Sequence, residues 1–195
     1  NIEGELMLTP LDAYWLARCL REQGLASSID TVYERYAHAD LLEGCLPIYL
    51  MNTVGNDHGY IFLKDGRCSV YEGRPQTCRI YPFFACPGEQ DNAFEVFQCM
   101  DRHTSHFTGG KVLVKDWLHE NFSKEGCAFM AAEAAQIPKL GSLLRGLGDD
   151  ELKACLSQFL HYRYYSYELD EPFLPQYTHN MAALGRLLQQ RLGEG

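Results

Sequence analysis

Thiol chemistry is the first chemistry that the residue types of this chain offer. Cysteines stand at Cys19, Cys45, Cys68, Cys78, Cys86, Cys99, Cys127 and Cys155, eight in 195 residues. Four of them cluster as Cys68-x9-Cys78-x7-Cys86-x12-Cys99, and the rest are scattered. In an oxidising compartment such residues would form disulfides; in a reducing one they would be thiols or metal ligands. A chain of this length can bury a core that is stable without covalent staples. The clustering therefore favours a metal site in a cytoplasmic setting over a disulfide framework. Thiolates are soft donors suited to zinc or an iron–sulfur cluster, and either takes about four ligands. Cys68, Cys78, Cys86 and Cys99 are the candidate metal ligands. The spacing is not a CxxC knuckle, so it points to a site without naming the metal.

Charge supplies a second argument. Four thiolates around a divalent centre leave about two excess negative charges, which cations and backbone N–H groups must offset. Arg67, Arg74 and Arg79 sit beside the candidate ligands in a chain whose net charge is −9. Arg74 and Arg79 are the expected partners of the bound centre, with ordinary surface ion pairs as the alternative. His103 and His106 follow Cys99 at short spacing and can substitute as zinc ligands. His38, His58, His119, His161 and His179 have no supporting pattern. Cys45 has no cysteine close by and reads as a buried thiol or an outlying ligand. Cys86 is open in another way: spacing makes it the fourth ligand, while Pro87 after it has no N–H to donate near that sulfur.

The elements that must hold these residues are legible in outline. Thr9-Pro10-Leu11-Asp12 is a helix start, and Gly24 a stop. Leu11, Trp15 and Cys19 recur at four-residue spacing, so Cys19 reads as core. Ser28 can cap a second helix through about His38. Cys45 to Met51, with Pro47, predicts an edge strand or extended loop. Gly55 to Gly59 is turn chemistry. Lys64-Asp65-Gly66-Arg67 between two β-prone runs predicts a hairpin that ends at Cys68. Pro75, Pro82 and Pro87, three prolines in thirteen residues, argue against a regular helix or central strand. Phe94 to Gln98 predicts a strand delivering Cys99. Val114 to Phe122 is amphipathic, and Ser123 can cap a helix to about Gln136, before Pro138. Gly141 to Gly148 reads as a linker. Asp149 or Asp150 can cap a helix through about Tyr165, and Thr178 the last one. The tyrosines at 162, 164, 165 and 167 read as helix packing, with a recognition surface as the alternative.

Within this outline, Phe62-Leu63-Lys64-Asp65-Gly66-Arg67-Cys68-Ser69-Val70-Tyr71 and Arg74-Pro75-Gln76-Thr77-Cys78-Arg79-Ile80-Tyr81-Pro82-Phe83 resemble the YkgJ-type cysteine-cluster family, which is regarded as zinc- or iron-chelating. Its signature runs phenylalanine-leucine, a short turn, cysteine, a hydrophobic-tyrosine pair, arginine-proline, then cysteine-arginine-x-tyrosine-proline-phenylalanine. The Leu8-Thr9-Pro10 helix start and Cys99 fit the same layout, so the resemblance spans roughly residues 5 to 120. Family members carry a CxxCxxCC-type group ahead of the first helix and often a cysteine just before the Phe-Leu pair. Here no such group precedes Thr9, and Gly59-Tyr60 stand in the second place. The resemblance therefore implies ligands upstream of Asn1, in which case Cys86 is spare, or, where that group is missing, a site completed by Cys86, by a histidine, or by nothing further. Flagellin lysine N-methylases look like distant relatives through a similar cysteine core.

Composition bounds the remaining choices. Hydrophobic residues make up 46% and charged ones 22%, as in a folded globular chain. An acidic chain without a basic stripe is a poor nucleic-acid ligand, and no apolar run is long enough to span a bilayer. Asn1 in place of Met leaves room for a targeting segment upstream. The expected fold is α+β, mostly helical with a small antiparallel hairpin and irregular loops around the site. Residues 1–122 form the metal-binding domain in this reading, and residues 123–195 a helical extension packed on it. The expected function is a metal-binding protein that holds zinc, or iron as an iron–sulfur cluster, in a structural or redox role. The alternatives are a cluster-dependent protein-lysine methyltransferase and an interaction protein with buried thiols. No residue pattern assigns a catalytic group, and no Gly-rich loop follows a strand in the way a nucleotide-like cofactor needs.

Overall fold

The structure, a computed structural model, describes residues 6–42, 44, 46–55, 59–88, 94–98 and 110–194. Cys45, His58, Cys99, His103 and His106 lie outside the described residues. The fold is α+β: mostly helix, with small antiparallel two-stranded sheets. The helices are α1 (Pro10–Glu22), α2 (Ile29–Tyr36), α3 (Gln76–Ile80), α4 (Val114–Asn121), α5 (Lys124–Gly146), α6 (Asp149–Leu160) and α7 (Phe173–Glu194). The strands pair in sequence order: β1 (Ala37–Leu42) with β2 (Leu46–Met51), β3 (Thr53–Val54) with β4 (Gly59–Tyr60), β5 (Leu63–Lys64) with β6 (Arg67–Cys68), and β7 (Phe83–Pro87) with β8 (Phe94–Gln98). The chain divides into two compact units, one of Asn1–Pro75 with Gln136–Gly195 and one of Gln76–Ala135. No helix is long and apolar enough to cross a membrane among the described residues.

In the first unit, α1 begins as its sequence dictates. The Thr9 hydroxyl accepts from the Asp12 N–H at 3.2 Å, and the Asp12 carboxylate accepts from the Thr9 N–H at 3.2 Å and from its hydroxyl at 2.6 Å. This reciprocal cap satisfies orphan donors of the first turn, and Pro10 occupies a position where no N–H is needed. Thr9→Ala is expected to cost about 1–2 kcal/mol, because the buried Asp12 carboxylate also loses a hydroxyl donor. A lowered urea midpoint at unchanged m-value would register it, and an unchanged midpoint would refute it. Leu11, Leu16 and Leu20 carry the apolar side of α1, against which α2 places Ile29, Val32 and Tyr33.

The Cys45 to Met51 run is a strand from Leu46 on, and β2 is buried along its whole length. Its neighbours explain this. β1 pairs along one edge, while the Leu8 N–H donates to Tyr49 O and the Met51 N–H to Leu6 O, each at 2.8 Å. The Tyr164 hydroxyl bonds the Pro47 carbonyl at 2.9 Å.

Three sequence expectations are corrected in this unit, all by packing. α5 continues through Pro138, and Gly141 lies inside it rather than in a linker. Buried Leu140 and Leu144, worth about 1.5–3 kcal/mol each, offset a proline cost of roughly 3 kcal/mol. α6 stops at Leu160, and a π-turn over His161–Tyr165 follows. α7 starts at Phe173, not after Thr178, because Pro175 falls in its first turn, where its missing N–H costs nothing. Thr178 instead bonds the Leu174 carbonyl from inside the helix.

The tyrosine run contributes to the core, as its packing reading expects: Tyr164 and Tyr167 are buried. Tyr33, Tyr49, Tyr164 and Tyr165 form a ring cluster with centroids 4.4–6.2 Å apart, and Tyr49 shares a hydroxyl hydrogen bond with Tyr165. Burial pushes the Tyr33 phenol well above its usual range and, with that hydrogen bond, raises Tyr49. The far end of α1 is tied by the Arg21 guanidinium to Asp170 at 2.8 and 3.1 Å. That exposed pair holds the Asp170 carboxyl below its ordinary range.

Candidate metal centre

The candidate ligands lie in both units. In the first, the Asp-Gly turn forms as expected: Asp65 and Gly66 have φ of 49° and 74°, the left-handed pair that a tight two-residue hairpin needs. β5 and β6 are only two residues each, and Cys68 pairs with Leu63. The hairpin is held at its base, where the Ser69 N–H donates to Phe62 O at 2.8 Å and the Ser69 hydroxyl at 3.1 Å. Buried Phe62 packs at a tilt against Tyr36, with centroids 4.8 Å apart. Cys68 is half-buried.

Beyond Cys68, a 3-10 turn at Tyr71–Gly73 docks on α1. A Cβ on Gly73 would lie 2.5 Å from Cys19 Cβ and 3.0 Å from Trp15 O. Only glycine permits that approach. Cys19 is 9% exposed and accepts a long hydrogen bond from Gln23 Nε2 at 3.5 Å, so its core reading holds. Arg74 lays its guanidinium over the Tyr71 ring, 3.6 Å from the centroid, and donates to Tyr71 O at 3.1 Å. This stacking is a role that sequence adjacency to thiols did not suggest.

In the second unit, the segment after Pro75 departs from expectation. The prolines argued against a helix, yet Gln76–Ile80 forms the short α3, carrying Cys78 and Arg79. Pro75 precedes the helix start and Pro82 falls after its end, so both prolines frame the turn instead of interrupting it. α3 is anchored by tertiary hydrogen bonds: Trp117 Nε1 donates to Ile80 O at 3.1 Å, and Gln76 Nε2 to Asn121 O at 3.4 Å. Gly126 allows the Gln76 side chain to lie flat, since a Cβ there would stand 2.5 Å from Gln76 Oε1. α4 is thus the clamp on α3. The Tyr81–Pro82 peptide is cis.

β7 packs on α3 and pairs with β8. Ala85 is buried, while Cys86 shares the opposite strand face with exposed Phe84. The cross-strand partner of Cys86 is Glu95, which places a thiol and a carboxylate side chain opposite one another on the sheet. Sequence reasoning missed Glu95, because only the register of the hairpin identifies it. β8 ends at Gln98, paired with Phe83, and Cys99 is the next residue in the chain.

None of the six described cysteines forms a disulfide. Cys155 is buried against the core, and burial pushes the Cys127 thiol up, which disfavours the thiolate a metal needs. Cys68, Cys78 and Cys86 are each half-buried. Their donor chemistry fits a thiophilic metal. Among the described residues no three His, Cys, Asp or Glu side chains stand together as a ligand group; the set as read from the sequence also includes Cys99.

Compared with protein-family models, curated proteins and solved structures, the chain matches none.

Proposed function

We propose that this chain is a metal-binding protein of the YkgJ-type cysteine-cluster kind, holding zinc or an iron–sulfur cluster through Cys68, Cys78, Cys86 and Cys99 in a structural or redox role. One observation carries the reading. α3 contacts β7 and β7 pairs with β8 within a single unit, so Cys78, Cys86 and the residue before Cys99 lie on contacting elements. The hairpin ending at Cys68 and the Arg-Pro-x-x-Cys-Arg segment add the resemblance. Thiolates at these positions would bind the centre, and Arg79 beside Cys78 would offset its charge.

The test is metal and acid-labile sulfide content of the full chain purified without oxygen. Near-stoichiometric zinc, or iron with sulfide, is expected. Cys78→Ser and Cys99→Ser are expected to lose about tenfold or more in metal affinity, the scale on which even outer partners of a centre act. Cys127→Ser is expected to retain the metal. Cys86→Ser decides the fourth ligand: full retention would hand that place to a histidine, solvent or an upstream cysteine. A metal-free preparation, or equal occupancy in all variants, would overturn the proposal.

A further inference from the structure

The β1–β2 sheet of the first unit is covered along one edge and open along the other. β2 lies between β1 and the 6–8 segment, where the Leu8 N–H donates to Tyr49 O and the Met51 N–H to Leu6 O. Backbone groups of successive strand residues point to alternate edges. Tyr49 and Met51 thus face the 6–8 segment, and Leu46, Ile48 and Leu50 face β1, where their partners are Leu42, Asp40 and His38. Two further bonds agree with this parity. The Asn52 N–H donates to Tyr36 O at 2.9 Å, and the Leu41 N–H turns to Asp40 Oδ1 at 2.8 Å instead of to β2. Ala37, Ala39 and Leu41 therefore carry the outward carbonyls of β1. Among the described residues no strand pairs with that edge.

Edge strands are ordinarily blunted by shortness, lysine, proline or a bulge. β1 has six residues, no lysine or proline, and an unbroken register with β2. Every residue after Ala37 is exposed, Leu41 by 52%. His38 and Asp40 lie on one face of the strand, either side of Ala39. The His38 ring is oriented by Asn52, whose Oδ1 stands 2.9 Å from Nδ1.

This edge is complementary to itself. In an antiparallel pair of two β1 strands, outward residues must stand opposite outward residues. A two-fold axis then passes through a residue, not between two. An axis at Asp40 sets that carboxylate against its own copy, a destabilising like-charge pair. An axis at His38 or at Leu41 leaves half of β1 unpaired. An axis at Ala39 sets His38 opposite the copy's Asp40 on both sides, in the positions where cross-strand side chains come closest. The small Ala39 side chains meet at the axis, and exposed Leu41 lies across from the copy's Ala37. Asp40, which holds the Leu41 N–H in the single chain, turns to the copy's His38 and frees that N–H for the copy's Ala37 carbonyl.

We propose that the outer edge of β1 pairs antiparallel with β1 of a second copy of this chain, with Ala39 on the two-fold axis and each His38 opposite the copy's Asp40. The same patch serves both molecules, so the contact closes as a dimer and does not propagate. β1 contains none of the candidate metal ligands, so the pairing is independent of the metal reading.

Sedimentation equilibrium of the full chain under reducing conditions tests this. A reversible monomer–dimer equilibrium is expected at concentrations below about 1 mM. Ala39→Pro removes the outward N–H at the axis while sparing the ladder to β2, and is expected to weaken the dimer by at least about tenfold. His38→Asp sets carboxylate against carboxylate at both symmetric positions and is expected to cost about tenfold as well. His38→Asp/Asp40→His exchanges the two partners and is expected to return affinity to within about threefold, with circular dichroism checking that each variant is folded. A dimer untouched by Ala39→Pro, or a double exchange no better than His38→Asp, would overturn the assignment. A chain that stays monomeric to about 1 mM would overturn it too, and would leave the edge to a foreign extended peptide.

Discussion

Phe173→Ala is expected to remove about 3–5 kcal/mol of folding free energy, a large part of the roughly 5–15 kcal/mol that a domain commands. The ring is 0% exposed. It stacks on Tyr167 and Tyr177, with centroids 5.0 and 5.8 Å away, and tilts against Tyr14 at 5.3 Å. Those neighbours are themselves held: the Tyr14 hydroxyl donates to Glu171 O at 2.6 Å, and Tyr167 to Arg163 O. A side chain so fixed cannot collapse into the void, which keeps the cost at the upper end of large-to-small changes. Urea unfolding should show a lowered midpoint with unchanged slope. Leu192→Ala, at an exposed site on the same helix, should change stability by no more than about 0.5 kcal/mol. A loss below about 1 kcal/mol in Phe173→Ala would mean that the aromatic stack is not the junction between α1 and α7.

Gly73→Ala is the second large effect, and it connects the core to the candidate site. The added methyl would meet Cys19 Cβ at 2.5 Å, Trp15 O at 3.0 Å and Leu16 Cα at 3.2 Å. Two of those three atoms are helix backbone and cannot swing aside, so the 3-10 turn must lift off α1. Overpacking of this kind costs about 1–3 kcal/mol. Cys19→Gly in the same chain would remove the closest clash and return part of the loss, less roughly 1 kcal/mol for glycine inside a helix. A double-mutant cycle on unfolding free energies measures this coupling. Strict additivity of the two changes would show that Gly73 is not pressed on Cys19. The glycine thus has a packing reason to sit between Cys68 and Cys78, independent of any metal.

Local chemistry was legible from the residues alone wherever one or two of them dictate the backbone. Thr9-Pro10-x-Asp12 specified a helix start, Asp65-Gly66 a hairpin turn, and Phe94 to Gln98 a strand; all three are present. In each, the deciding hydrogen bonds or dihedrals span only a few residues. The mostly helical α+β class followed from the same periodicities. What the residues could not reveal lies at long range. Pro138 and Gly141 sit inside α5 because of what Leu140 and Leu144 bury, and α3 forms between prolines because Trp117 and Asn121 hold its carbonyl and side-chain ends.

The same division runs through the candidate centre and the β1 edge. Thiol spacing named Cys68, Cys78, Cys86 and Cys99 without any structure, since soft donors clustered in one stretch are already a chemical statement. Glu95 opposite Cys86 emerged only from strand register, and the Arg74 stack only from the docking of Tyr71–Gly73 on α1. The open edge of β1 had no sequence signal, because the outward groups are set by the pairing of the 6–8 segment on the far side of β2. Sequence determined the helix start, the turn and the donors, because those depend on neighbours along the chain. Tertiary structure decided which distant groups meet, because that depends on how the aromatic and leucine core packs elements far apart along the chain.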